Sequence, residues 1–172
     1  MRKLLKHLIS IIFAIIIVLL IQAFVLTGSV IKDDKMAPNL KQGDRVIVNK
    51  IKTTFNFLDN NDIIMYRNGK EIQFSRIIGK PGQSISFKNG SLYRDDRKVN
   101  EPYTKNSINN LSLRNLKDSE SDIIPPNAYF VLNDNRENKN DSRTLGFVHQ
   151  KDIIGNTSLR YYPFENFTVT FN

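Results

Sequence analysis

Few residues in this chain of 172 are of a type that could do covalent chemistry, and their types narrow that chemistry sharply. There is no cysteine, and there are two histidines. A structural zinc site built on cysteine is therefore excluded, and a catalytic zinc centre built on histidine is not expected. A Cys-His pair is ruled out, and a Ser-His-Asp triad would have only His149 as its base. His7 lies ahead of a long apolar run and His149 follows Phe147-Val148, so a bilayer's worth of chain separates them. What remains is a serine worked by a lysine. A desolvated lysine stays neutral, takes the hydroxyl proton and frees the oxygen to attack a carbonyl. Serines and lysines recur along the whole chain, Lys35 within Lys32-Asp33-Asp34-Lys35-Met36-Ala37-Pro38-Asn39-Leu40 and Ser75 within Ser75-Arg76-Ile77-Ile78-Gly79-Lys80-Pro81-Gly82 among them.

The elements that must position them begin with residues 8–26, an apolar run broken only by Ser10 and Gln22. Its length matches the ~20 residues needed to cross a hydrocarbon layer. A cleavable leader has a shorter apolar core and small residues at its cut site. Here Phe24, Val25 and Leu26 stand there, so an uncleaved anchor is expected. Arg2, Lys3 and Lys6 precede the run without an acidic residue, which puts residues 1–7 on the cytoplasmic side and residues 27–172 outside the cell membrane. An external domain without cysteine must be held by its core. The net charge of +8 is scattered rather than gathered into basic runs with stacking aromatics. The lipid bilayer is thus an expected partner and nucleic acid is not.

The exported part reads as mainly β. Strands are expected at Arg45 to Asn49, after a Gly43-Asp44 turn, and at Ile63 to Tyr66 and Glu71 to Ile78 around an Asn68-Gly69 turn. Ser84 to Phe87 and Ser91 to Tyr93 flank Asn89-Gly90, whose residues tolerate positive φ, a strong hairpin signal. Ala128 to Leu132 reads as a buried strand, and Ile153-Ile154 with Ser158 to Tyr162 as further strands. Thr104 to Asp122 is polar and reads as a mobile excursion. Phe55 and Phe57 fall in an expected loop, with two readings open: contact with a bilayer or ordinary core packing.

At several separate places the chain resembles the type I signal peptidases in their Gram-positive form. The family's first box, Ser-Met-x-Pro-Thr-Leu, stands here as Lys35-Met36-Ala37-Pro38-Asn39-Leu40, followed by Gly43-Asp44-Arg45-Val46. The second, Lys-Arg-(Ile/Val)-Ile-Gly-x-Pro-Gly, stands as Ser75 to Gly82, and Glu101-Pro102-Tyr103 matches a further segment. The last box, Gly-Asp-Asn-Arg-x-x-Ser-x-Asp-Ser-Arg-x-x-Gly, stands as Asn133 to Gly146. The order of the boxes behind an anchor is specific. The resemblance implies a coiled antiparallel β-sheet domain and needs no cofactor or metal.

The departures fall where the family does its chemistry. The nucleophile position is Lys35, the general-base position is Ser75, and a serine that orients the base is replaced by Lys139. The frame is kept, and the resemblance implies that Asp141 pairs with Arg143, and with Arg76, to hold the strands. Asn133 replaces a glycine, a change expected to be mild because asparagine tolerates left-handed backbone. These substitutions imply a catalytically inactive homologue. A swapped dyad, with Ser75 attacking and Lys35 as base, is the alternative. It would move the attack point by several ångströms, and a misplacement of about 1 Å can cost ~10²-fold. An ionised Asp33 near the developing oxyanion would also oppose the transition state. A groove kept without chemistry could hold signal peptides by strand addition, or the chain could act beside an active signal peptidase.

Overall fold

The computed structural model describes residues 2–117, 119 and 121–171. Helix α1 covers Arg2–Phe24, and its stretch Lys6–Phe24 is long and apolar enough to cross a membrane. The run read as residues 8–26 thus ends as helix at Phe24, and Leu26 already belongs to a strand, β1 (Leu26–Val30). Lys50 fastens this junction: its Nζ donates to the carbonyls of Gln22 and Ala23 at 3.1 and 2.9 Å. A cation there satisfies orphan carbonyls at the helix C-terminus.

The strands that follow are β2 (Arg45–Asn49), β3 (Ile63–Asn68) and β4 (Glu71–Gly79), with the one-turn helix α2 (Ile51–Thr54) between β2 and β3. Then come β5 (Ile85–Lys88), β6 (Ser91–Arg94), β7 (Arg97–Val99), β8 (Leu111–Ser112) and β9 (Ala128–Leu132). Helix α3 (Ser142–Leu145), β10 (Val148–His149) and β11 (Ile153–Tyr162) complete the order. Seven strands form one antiparallel sheet, β1-β2-β11-β3-β4-β9-β10, and four form a second, β7-β6-β5-β8. The chain is therefore mainly β, as expected.

The Asn89-Gly90 hairpin forms with φ of 48° and 78°, the pair of positive values that a two-residue turn between twisted strands requires. The β3–β4 turn differs from expectation. Asn68 pairs with Glu71, so the loop is Gly69-Lys70, with Gly69 at φ 61°. The two segments expected near the C-terminus are one strand, β11, bulged where it faces β2 and β3. At Gly155 it passes so close to β2 that a Cβ would collide with the Asn49 carbonyl.

Both faces of the large sheet are covered. Ile63, Met65 and Phe74 pack with Ile31, Met36 and Leu40, while Ile64, Tyr66 and Ile77 pack with Tyr129 and Val131. That double burial explains why β3 and β9 read as continuous apolar runs rather than alternating ones. The second sheet closes on β9 through Ile85, Phe87, Leu92 and Leu113. Leu113 is fully buried and Leu116 nearly so, which corrects the reading of Thr104 to Asp122 as a mobile excursion. Two leucines spaced three apart anchor the polar segment; within it, residues 118 and 120 lie outside the described set. Phe55 and Phe57 are exposed, with rings stacked at 6.1 Å, just after α2.

Candidate functional site

Three chain segments meet at the middle of β4. One is the turn that follows β1 and carries Lys35, the second is β4 with Ser75 and Arg76, and the third is the loop from Asn133 to Asp141 after β9. A buried charge knot joins them. Arg76 forks onto Asp134, with Nε and Nη2 at 2.7 and 2.6 Å from the two carboxylate oxygens, and its Nη1 reaches the Asn61 carbonyl at 2.9 Å. Asn39 donates to the same carboxylate at 2.7 Å and to the Tyr103 carbonyl at 2.7 Å. The guanidinium lies 4.2 Å from the centre of the Tyr103 ring. Both ions are removed from water, so the pair's attraction acts in a low dielectric, and each guanidinium nitrogen has a partner.

Asp141 forms a second knot. Its carboxylate caps α3 by accepting the Arg143 N–H, pairs with the Arg143 side chain at 2.7 and 2.9 Å, and accepts the Asn133 N–H at 3.0 Å. Arg143 in turn donates to the carbonyls of Arg136 and Asn138. Arg76 is paired with Asp134 rather than with Asp141, so the pairing expected between Arg76 and Asp141 is replaced by two separate knots. Asp134 lies two residues past Leu132, the strand partner of Arg76, whereas Asp141 is the N-cap of α3.

The chemistry positions have other partners. Ser75 is fully buried. Its hydroxyl donates to Asn133 Oδ1 at 2.9 Å and lies 3.3 Å from the Tyr66 hydroxyl. Burial pushes the Tyr66 hydroxyl up to about 12, with the carboxylates of Asp141 and Asp33 adding to the rise. The ring therefore stays neutral and donates to Gln73. Lys35 is 16% exposed, and its ammonium is bound to Asp33 at 3.1 Å. The other oxygen of Asp33 accepts the Lys35 backbone N–H at 3.2 Å. Among the described residues no hydrogen bond joins Lys35 to Ser75. Lys139 is exposed and offers only its backbone carbonyl to the loop, to Thr144 and Asp141. The residue at the base-orienting position is thus a surface side chain.

Sequence reasoning missed the work of Asn133. Its φ is not positive, so left-handed tolerance is irrelevant to the exchange of glycine for asparagine. The side chain matters instead: it is fully buried, accepts from Ser75 and donates to the carbonyls of Asn138 and Asn140. It fills the volume beyond the Ser75 hydroxyl, where a longer side chain at position 75 would project. Asp33 was noticed for its charge, but its simultaneous hold on both donors of Lys35 needed coordinates. Among the described residues no cluster of three or more His, Cys, Asp or Glu side chains is placed to hold a metal ion.

Comparison with known proteins places this geometry. Residues 4–162 match the family model described as signal peptidase, peptidase S26. The chain is 60% identical over 172 residues, 99% of each chain, to the protein named inactive signal peptidase IA of Staphylococcus aureus (strain COL). It is 33% identical over 183 residues, 99% of this chain and 96% of the other, to signal peptidase IB of Staphylococcus aureus (strain MRSA252). The crystal structure of a signal peptidase I from Enterococcus faecalis V583 matches with a TM-score of 0.53 at 31% identity, over 58% of this chain and 95% of that one.

Proposed function

The chain belongs to the signal peptidase family, peptidase S26, and on that premise we propose that it is a non-catalytic, membrane-anchored member that has kept the frame of a peptidase without its reaction. The observation that carries this is the state of the two dyad positions. Position 35 has an ammonium where a nucleophilic oxygen is needed, and Asp33 neutralises it. Position 75 has a hydroxyl, but it is sealed from solvent and donates to an amide oxygen rather than to a base. A general base must lie within hydrogen-bond reach of the proton it takes, and Lys35 is not so placed. The Lys35 N–H is also occupied by a carboxylate, so an amide that could steady a developing oxyanion faces a negative charge instead. The swapped dyad fails on the same geometry.

The anchor is α1, with the N-terminus cytoplasmic by the charge of its flank and the β domain outside. A binding role, toward signal peptides or an active signal peptidase, is part of this proposal. The name inactive signal peptidase IA, carried by a relative 60% identical to this chain, supports the loss of catalysis. The test uses the purified full chain in detergent, incubated with an exported preprotein and followed by mature-chain formation. No processing above the buffer control is expected. Processing that disappears in Ser75→Ala would restore the enzyme reading.

A further inference from the structure

The turn that carries Lys35 presents two donors to a single carboxylate. The backbone N–H and the ammonium of Lys35 hold the two oxygens of Asp33 at 3.2 and 3.1 Å. A cation beside an oriented backbone amide is the donor set that recognises a carboxylate, because both donors act on a delocalised charge at once. Its present occupant is a side chain from two residues away that is 51% exposed and tied to no other side chain among the described residues. The neighbouring acid does not compete, since Asp34 accepts the Gln42 N–H at 2.9 Å. Lys35 is largely shielded from water, which strengthens its attraction for an anion.

The surroundings suit a peptide. Ile31, Met36 and Leu40, on either side of Lys35 in sequence, are buried in the core and hold the turn in place. β1 is an edge strand of the large sheet and runs directly into this turn. An extended chain added to such an edge gains main-chain hydrogen bonds, and here it would arrive at Lys35. A peptide that continues past the turn offers a neutral carbonyl at that point. A peptide that stops there offers a carboxylate, which can take both donors and displace Asp33.

We infer that Lys35 and its backbone amide form a receptor for the C-terminal carboxylate of an extended peptide, with Asp33 as a built-in competitor. This rests on the reading of the chain as a non-catalytic family member. The ligand class is an extended peptide with a free C-terminal carboxylate, the form in which a secretory leader is left after cleavage. The substitution at position 35 then exchanges reaction with a peptide bond for recognition of its hydrolysed product.

The experiment compares two short fluorescent peptides, identical and ending in alanine, one with a free α-carboxylate and one with a C-terminal amide. Binding to the full chain in detergent micelles is read by anisotropy. The acid should bind about tenfold or more tightly than the amide, as expected for a charge-assisted contact. Asp33→Asn should tighten the acid several-fold, because the competitor is gone. Lys35→Arg should keep the preference for the acid and Lys35→Met should abolish it, with unchanged circular dichroism. Equal binding of acid and amide by the parent chain, or binding of neither, overturns the inference. Either result would leave the non-catalytic reading standing, since that reading fails only if an intact precursor is cut.

Discussion

Ser75 and Arg76 are neighbours on β4, yet they belong to regions with different histories. Arg76 faces Asp134 and Asn39 in a buried knot whose donors and acceptors match one another. Ser75 faces Asn133 and Tyr66, whose amide and hydroxyl close around its own hydroxyl. The knot still does the work that the fold requires, tying the Lys35 turn, β4 and the loop after β9 into one body. Ser75 and Lys35 hold other partners, Asn133 and Asp33. A frame can therefore outlast its reaction, because the cost of breaking a buried ion pair is independent of whether the site turns over.

That contrast sets an order of expected effects. Asp134→Ala should be the most damaging, since it leaves Arg76 buried and unpaired. A loss of about 3–5 kcal/mol in urea unfolding of the full chain is expected, and a loss below 1 kcal/mol would remove the knot from the account. Next comes alkaline pH. Tyr66 is raised from 10.0 to about 12 in the folded chain. Its contribution is therefore fully present below pH ~10 and is lost as pH rises through the folded value. Unfolding between pH 9 and 12 should lose about 2–3 kcal/mol through this group, and Tyr66→Phe should flatten that part of the slope. Burial of Tyr103, whose hydroxyl is also raised, leaves a remainder. An unchanged slope in Tyr66→Phe would show that the Ser75 cluster is open to water.

Ser75→Ala should cost about 1–3 kcal/mol, because Asn133 Oδ1 is left buried without its donor. A neutral result would mean that the serine is idle packing. Lys139→Ala should be smallest, within about 0.5 kcal/mol, as for an exposed side chain free of such features. A larger loss would return Lys139 to the site.

Much of the frame was legible because it is written in local signals. Asn89-Gly90 fixes a hairpin by its own dihedral preferences, and Ala128 to Leu132 declares burial by its composition. The family boxes set Lys35, Ser75 and Lys139 at the positions where the resemblance implies that chemistry was lost. The rest depended on distance in space. Nothing near Leu113 says that β5 and β9 will cover it, so a polar composition was mistaken for looseness. The partner of Arg76 could not be chosen between Asp134 and Asp141, seven residues apart, without the path of the loop. Asn133 was judged by its backbone, when its side chain is what matters. Asp33 is a charge in the sequence and becomes a clamp only when both of its oxygens are located.

The central claim is that this interior holds no oxygen poised to attack a peptide bond. Intact-mass analysis of the full chain, quenched with acid during incubation with a leader-bearing substrate, tests it most directly. The account predicts the unmodified mass at every time point. A transient ester adduct, mapped by fragmentation to Ser75, would contradict it.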